Sequence, residues 1–191
     1  MIIDGLKELL DIQKNSLMSD IVNAVKIGDF VLSSGKKSNF YINCKKVILQ
    51  PNTMEAIGKY ILYISWNIDY SSVAGITSGA DPIVCSCVAF NKDNGLFIRK
   101  KQKNHGTKEL IEGKFKEGDK VLIVDDVLTT GESIKYSYDV LIEHKLQPQA
   151  IIVLVDRQEN DAVNDLEKYT SIPVISIITK EEIFKYKEDN E

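Results

Sequence analysis

The sequence predicts an α/β fold, with a central, mostly parallel sheet flanked by helices. Five short apolar runs, rich in β-branched residues, alternate along the chain with apolar residues at helical spacing. The runs occupy residues 72–76, 95–98, 121–124, 150–155 and 172–178. Because nearly all their residues are apolar, they are typical of strands buried on both faces of a parallel sheet. The helical patterns between them predict right-handed crossover connections.

The composition is that of an ordinary globular protein. The 191 residues, of which 43% are hydrophobic and 27% charged, suit a single domain spanning residues 1–191. No apolar run is long enough to cross a bilayer, and the N-terminus lacks a secretory signal pattern, so we expect a cytoplasmic protein with no membrane partner. The net charge of −4 argues against a nucleic-acid partner. The three cysteines and two histidines have no metal-ligand spacing.

Residues 1–45, which we call the hood, are predicted to contain helices and a hairpin ahead of the first sheet strand. Apolar residues at helical spacing indicate one helix near 6–12 and a second near 17–25, which ends at Gly28. Two apolar strands then flank the polar, basic turn 33–38, which is a hairpin signal. The alternative to a hairpin that covers a site is an ordinary surface hairpin.

Two helices in the first half of the chain are predicted to pack on the sheet. The first begins at Pro51, and Trp66 near its end is expected to pack rather than to bind a ligand. The second begins at Pro82 and carries Cys85 and Cys87, which we interpret as small core residues.

A turn of small residues, 77–81, connects the strand at 72–76 with the helix that begins at Pro82. The first N–H groups of a helix have no partner within the helix, so a strand–turn–helix sequence is a candidate anion site. The turn contains no lysine, so its contacts with an anion would come mostly from backbone N–H groups. A purely structural turn explains the same residues equally well.

A dense run of positive charge follows the strand at 95–98. It reads Arg-Lys-Lys-Gln-Lys-Asn-His-Gly-Thr over residues 99–107, which we call the 99–107 loop. A solvated loop is the usual explanation for such a run. Asn104 and Gly106 nevertheless favour a mobile loop, and its cations would match an anionic leaving group.

The stretch 121–133 carries the strongest functional signal in the chain. Its buried strand is followed by Asp125 and Asp126, and then by a turn of hydroxyl residues and a glycine, 129–133, that leads into a helix. Helix N–H groups and hydroxyls together predict a phosphate site. The carboxylates would accept hydrogen bonds from a sugar diol or share a Mg²⁺ with a polyphosphate, so we interpret the stretch as a ribose phosphate site. An acid pair that merely caps the helix is the alternative.

Arg157 follows the strand at 150–155. Its forked guanidinium is suited to bind a carboxylate through two hydrogen bonds, and a salt bridge to a nearby acid is the alternative. The 77–81 turn, the 99–107 loop and the 129–133 turn also follow strands. Ligands of such sheets bind beyond the carboxyl ends of the strands, so these segments predict one shared site.

Three segments carry a resemblance to a known family. The stretch 121–133 resembles, over all thirteen positions, the phosphoribosyl diphosphate (PRPP) signature of the type I phosphoribosyltransferases. The pattern Phe-x-Leu-x-Ser-Gly-x-x-Ser-x-x-Tyr at 30–41, and Arg-Lys-x-x-Lys-x-His-Gly in the 99–107 loop, are similar to elements of the orotate phosphoribosyltransferases. The resemblance implies the type I phosphoribosyltransferase fold. It also implies transfer of the phosphoribosyl group from PRPP to N1 of orotate, with orotidine 5′-monophosphate and pyrophosphate as products, in pyrimidine biosynthesis.

The resemblance further implies roles for individual residues. The residues implied to bind PRPP are Thr77, Ser78, Gly79, Arg99, Lys100, Lys103, His105, Asp125, Asp126, Val127, Leu128, Thr129, Thr130, Gly131, Glu132 and Ser133. Those implied to bind orotate are Tyr41, Ile42, Thr129 and Arg157. Those implied to be catalytic are Lys103, His105, Asp125 and Asp126, with Lys103 the most sensitive at the transition state.

A cofactor and an assembly are implied in the same way. The cofactor is Mg²⁺, for which no direct protein ligand is predicted, and Asp125 and Asp126 are candidates to hold it through water. The assembly is a homodimer in which the 99–107 loop of one subunit closes over the site of the other. Two rival interpretations share the stretch 121–133: a purine-type phosphoribosyltransferase, and a non-catalytic regulator that senses PRPP.

Overall fold

The computed structural model describes residues 2–31, 37–91, 93–100 and 109–190, without the side chains of 2–10, 27, 31 and 37–39. In chain order the helices and strands are α1 (Ile2–Ala24), β1 (Val25–Val31), β2 (Lys37–Ile42), α2 (Lys45–Ile48), α3 (Pro51–Ile64), β3 (Ser72–Ile76), α4 (Asp81–Asn91), β4 (Asn94–Ile98), β5 (Ile111–Glu112), β6 (Lys120–Leu128), α5 (Glu132–Glu143), β7 (Gln147–Asp156), α6 (Ala162–Thr170), β8 (Val174–Thr179) and α7 (Lys180–Asn190).

The predicted mostly parallel sheet is confirmed. Its strands lie side by side in the order β5-β4-β3-β6-β7-β8, and all neighbours are parallel except the short β5, which runs antiparallel to β4. The last strand, β8, lies at the edge of the sheet and is preceded by Pro173. A proline has no N–H group, and at an edge strand this does not interrupt the sheet. The chain places β4 on one side of β3 and then crosses to β6 on the other side. The crevice at this reversal is where ligands of such sheets bind.

The sheet is buried on both faces because successive strand residues point in opposite directions. Val73 packs in the cluster formed with α1, α3, α4 and α7, whereas the next residue, Ala74, packs in the cluster formed with α5 and α6. In β6, Leu122 and Ile123 divide between the two clusters in the same way. This alternation explains why the strands read as unbroken apolar runs in the sequence.

Strand β6 is longer than its apolar run suggested. It continues to Leu128, and Asp125 lies opposite Val153 in the ladder with β7. The prediction that the strand ends before the two acids was therefore wrong. Pairing with the long neighbouring strand β7 extends the strand beyond its apolar residues. As a result, the carboxylates are fixed on sheet backbone rather than on a loop.

The hood contains the predicted hairpin but one helix instead of two. Helix α1 runs without interruption to Ala24, and its fully buried Leu17 and Ile21 are four residues apart on one face. Gly28 does not follow a helix but lies within β1, at a register shift in the pairing with β2, with φ of 152°. A glycine tolerates this backbone conformation, which accounts for its place at the irregularity. Most of the predicted basic turn, residues 33–36, lies outside the described residues.

Two predicted core side chains are exposed. Trp66 is 82% exposed, because α3 ends at Ile64 and it is Ser65 whose side chain turns inward and bonds to Ile61 and Tyr70. Cys87 is buried as predicted, whereas Cys85 is exposed on the other side of α4. Among the described helices, none combines the length and the apolar character that a membrane span requires.

Candidate active site

A cavity of about 630 Å³ opens at the carboxyl ends of the sheet strands, beside the hairpin. It is bounded by parts of β2, β6, α5 and the end of β7. The lining residues are Tyr41, Ile42, Lys100, Asp125, Val127, Leu128, Thr129, Thr130, Gly131, Glu132, Ser133, Ile134 and Arg157. Apart from Ile134, each was predicted from the sequence as a site residue. The structure therefore brings the PRPP-type stretch and the predicted orotate residues to one cavity.

The 129–133 turn has the backbone geometry of an anion cradle. Gly131 is the residue before α5 and has a left-handed φ of 78°, and no side chain caps the first turn of that helix. The first N–H groups of α5 are thus left without a side-chain partner at the cavity. A Cβ on Gly131 would also lie 3.0 Å from Leu166 Cγ, so glycine is required both for conformation and for packing.

The acid pair joins the cavity to the 77–81 turn. The backbone N–H of Asp126 donates to Asp125 Oδ1 over 3.0 Å, and the N–H of Val127 donates to Asp126 Oδ1 over 3.0 Å. A Cβ placed on Gly79 would lie only 2.7 Å from Asp126 Oδ1. The absence of a side chain at Gly79 is therefore what allows the turn to approach the carboxylate.

The 77–81 turn does not line the main cavity, but it lies next to it. The N–H of Thr77 donates to the carbonyl of Ile98 over 2.8 Å, which fixes the turn to the end of β4. A smaller recess of about 290 Å³ contacts Ile76, just before the turn, and shares Lys100 and Ser133 with the main cavity. The Thr77–Ser78 peptide bond is cis.

The carboxyl of Asp125 is buried, whereas that of Asp126 is partly exposed. Asp125 is 5% exposed, and burial, with a further contribution from the charge of Asp126, raises its pKa to about 8. Asp125 therefore holds its proton to a higher pH in the folded protein than in an unfolded chain, where an aspartate ionises near pH 4, roughly the ordinary value.

This difference predicts how Asp125→Asn changes stability with pH. Between roughly pH 4 and pH 8 the folded protein binds a proton at Asp125 that the unfolded chain has lost, so wild-type stability falls as pH rises through this range. The asparagine variant has no such titration. We expect its gain in melting temperature over wild type, measured without ligand or metal, to be larger at pH 8 than at pH 5. A difference that stays constant from pH 5 to pH 8 would contradict the assignment.

The start of the 99–107 loop is anchored to the body of the protein. The carbonyl of Arg99 accepts a hydrogen bond from the hydroxyl of Tyr136 over 2.9 Å, and the Arg99 N–H donates to Leu110 over 2.9 Å. The Arg99 guanidinium pairs with Glu112 over 2.7 Å rather than lining the cavity, whereas Lys100 lines it. The predicted residues Lys103 and His105 lie outside the described residues. Tyr136 was not predicted as a residue of the site. In the sequence it is one of the apolar residues of α5, and nothing nearby indicates that its hydroxyl bonds to the 99–107 loop.

Arg157 lies in the wall of the cavity and is 4% exposed. Its Nε donates to Glu159 Oε1 over 3.0 Å, and its Nη2 lies 2.9 Å from the same oxygen. The guanidinium carbon is 4.3 Å from the centre of the Phe40 ring. The salt bridge that the sequence left as an alternative is thus present, and it orients an arginine that also faces the site. Glu159 and Phe40 were not predicted, although an acid two residues after a strand-end arginine was a usable signal.

The aromatic wall of the site comes from the hairpin. Tyr41 is 40% exposed and stacks at a tilt on Phe30 of the paired strand, with 5.6 Å between ring centres. Ile42 beside it is buried. A planar ring lying between this wall and Arg157 would meet an apolar face and a cation.

Comparisons with known proteins agree with this architecture. Residues 90–189 match the phosphoribosyl transferase domain family. The chain is 38% identical over 177 residues to an orotate phosphoribosyltransferase of Pyrococcus horikoshii, an alignment that covers 90% of this chain and 94% of that protein. It is 46% identical over 145 residues to one of Nostoc, covering 73% and 70% of the two chains. The crystal structure of orotate phosphoribosyltransferase from Mycobacterium tuberculosis superimposes with a TM-score of 0.79 at 26% identity, over 90% of this chain and 98% of that one. The chain therefore belongs to the phosphoribosyltransferase family and, within it, to the orotate phosphoribosyltransferases.

Proposed function

We propose that this protein transfers the 5-phosphoribosyl group of PRPP to N1 of orotate, giving orotidine 5′-monophosphate and pyrophosphate in pyrimidine biosynthesis. The observation that carries the proposal is a single cavity that combines an anion cradle, the carboxyl of Asp125 and a buried arginine, with Asp126 adjacent in the same strand. The cradle suits a phosphate, the acids suit a ribose and the arginine suits a carboxylate. Relatives that share most of the chain bear the name of this activity.

The donor would bind along β6 and the start of α5. The 5-phosphate would accept hydrogen bonds from the N–H groups and hydroxyls of the 129–133 turn. The ribose hydroxyls would face the acid pair, where Asp126 is partly exposed and Asp125 is buried. The pyrophosphate group would then extend toward the 77–81 turn, which touches Asp126 through Gly79.

The acceptor would bind between the hairpin and the end of β7. Orotate is a flat pyrimidine that carries a carboxylate, and Arg157 presents a fixed cation at the cavity wall. Tyr41 and Ile42 would cover the ring, and Thr129 would help to orient it. In this pose N1 of the ring would face the anomeric carbon of the donor.

The chemistry is a substitution at the anomeric carbon. The bond from this carbon to the pyrophosphate oxygen breaks as the bond to N1 forms, and the N1 proton is released to pyrophosphate or solvent. Positive charge therefore develops on the sugar and negative charge on the leaving group. The protein contributes mainly orientation and charge stabilisation. Lys100 lines the cavity, and Arg99, Lys103 and His105 would complete the cation set around pyrophosphate.

The acid pair fits Mg²⁺ as a partner of the substrate rather than as a resident ion. Among the described residues no three His, Cys, Asp or Glu side chains form a group that could hold a metal. Mg²⁺ is commonly bound by one or two carboxylates through water together with substrate phosphates, and Asp126, with Asp125 behind it, would serve in this way. When bound, the ion would neutralise charge on the pyrophosphate.

We further infer a homodimer in which the 99–107 loop of one subunit completes the site of the other. In support, Arg99 is turned toward Glu112 and away from the cavity of its own subunit. At an orotate concentration well below the KM of Arg157→Ala, both Lys103→Ala and Arg157→Ala subunits are expected to have little activity. Mixing them should restore activity if the loop acts across the interface, and no restoration would contradict sharing. We also propose the cytoplasm as the compartment, because all three cysteines are unpaired, as is usual in a reducing environment. Cell fractionation tests this proposal.

A base-specificity assay tests the proposed activity. Purified protein is given PRPP with orotate, adenine, guanine or xanthine, with and without Mg²⁺, and pyrophosphate release is measured. We expect release with orotate and Mg²⁺, and little with the purines. Release with a purine alone would favour a purine-type enzyme, and PRPP binding without release for any base would favour a regulator.

A further inference from the structure

Lys45 connects the hood to the 77–81 turn. Its Nζ donates a hydrogen bond to Ser78 Oγ over 2.9 Å, across 33 residues of sequence. Lys45 is the first residue of the short helix α2, and its side chain is exposed to solvent. A solvent-exposed ammonium on a serine hydroxyl retains two further donors that a stronger acceptor could use.

The backbone of Lys45 is held firmly beside the acid pair. Its neighbours Cys44, Val47 and Ile48 are buried in the core, so α2 is anchored on both sides of the lysine. Ser78, to which the lysine bonds, is followed by Gly79, which abuts the Asp126 carboxylate, so this segment lies near the acid pair. The backbone of Lys45 is therefore fixed, whereas its exposed side chain is free to exchange one hydrogen-bond acceptor for another.

Without Lys45, the charged groups around the 77–81 turn would be carboxyl groups, which disfavour the binding of an anion. Asp126 abuts Gly79, and Asp81 lies at the start of α4 with its Oδ1 buried and without a hydrogen-bond partner among the described residues. Burial raises the pKa of Asp81, and the positive charge of Lys45 opposes that rise. Residues 75–82 contain no lysine or arginine. A pyrophosphate at this turn would face two carboxyl groups, and Lys45 is the cation in contact with the turn.

We propose that Lys45 Nζ exchanges Ser78 Oγ for the pyrophosphate group of PRPP and so supplies from the hood the cation that the turn lacks. The inference rests on the proposed function and extends it by assigning a pyrophosphate-binding residue outside the strand-end segments. Because the lysine belongs to the hood, donor binding also fixes the hood against the sheet.

Binding measurements on three variants test this assignment. Calorimetry in Mg²⁺ buffer compares inorganic pyrophosphate with ribose 5-phosphate for wild type, Lys45→Ala, Lys45→Arg and Lys46→Ala. Lys46 is the matched control, because it is also exposed and adjacent, and no contact with the turn is seen. We expect Lys45→Ala to weaken pyrophosphate binding about tenfold, the lower end for a hydrogen bond to a charged group because the site is exposed. Ribose 5-phosphate binding should be unchanged, Lys45→Arg should restore most of the loss, and Lys46→Ala should resemble wild type.

Kinetics and stability complete the test. Lys45→Ala should raise KM for PRPP about tenfold, leave KM for orotate within about twofold and leave the melting temperature unchanged. Unchanged pyrophosphate binding, or equal weakening of ribose 5-phosphate, would overturn the assignment. If wild type forms no orotidine 5′-monophosphate, the proposed function fails, but the pyrophosphate measurement still decides whether Lys45 binds that group.

Discussion

Replacing Arg157 with alanine is expected to lower kcat/KM for orotate about a hundredfold, mainly by raising KM for orotate, with KM for PRPP nearly unchanged. The guanidinium is 4% exposed and lies in the cavity wall. In the variant the orotate carboxylate would lose its charged hydrogen-bond partner, and water at this buried position would replace only part of that interaction. The 129–133 turn, which would hold the donor phosphate, does not depend on this side chain. Initial rates with each substrate varied in turn give the two KM values.

Two controls separate substrate binding from support of the fold. Arg157 also pairs with Glu159 and packs on Phe40, so its removal leaves a partly buried carboxylate without its cation. Glu159→Gln breaks the ion pair but keeps the arginine, and we expect a smaller rise in KM for orotate. Arg157→Lys keeps the charge without the fork and should fall between alanine and wild type. Equal rises in the two KM values for Arg157→Ala would show that the residue does not recognise orotate.

Lys103→Ala is expected to lower turnover at saturating substrates by at least about 100-fold, the scale for losing one preorganised charge stabiliser. The reason is chemical: the departing pyrophosphate gains negative charge in the transition state, and a lysine that meets it there acts on turnover more than on substrate binding. KM for orotate and for PRPP should change by less than about tenfold.

A second lysine in the same loop provides the control. Lys101→Ala removes the same charge two residues away, so a general electrostatic effect of the loop would reduce turnover equally in both variants. We expect Lys101→Ala to retain turnover within about threefold of wild type. Near-normal turnover of Lys103→Ala would remove this residue from the catalytic role.

The parts that local pattern determines were predictable from the sequence. The buried strands follow from continuous apolar runs, and the 129–133 turn follows from a glycine and hydroxyls between a strand and a helix. The edge position of β8 follows from Pro173. In each case the residues that make the structure are neighbours in sequence.

The parts that depend on distant contacts were not predictable. Strand β6 extends through Asp125 because β7 pairs with it, and nothing within residues 121–128 encodes that pairing. The contact of Lys45 with Ser78 crosses 33 residues, and the cation–ring contact of Arg157 with Phe40 crosses 117. Helix α1 reads as two segments locally but continues without a break through residues 13–16, and the sequence there gives no signal that decides between the two.

A crystal structure of the protein with orotidine 5′-monophosphate would locate both halves of the proposed site at once, because the product carries both the phosphate and the carboxylate. We expect the phosphate at the N–H groups of the 129–133 turn, the ribose hydroxyls beside Asp126, and the carboxylate within hydrogen-bond distance of the Arg157 guanidinium. A nucleotide bound with its phosphate elsewhere, or with its carboxylate away from Arg157, would contradict it.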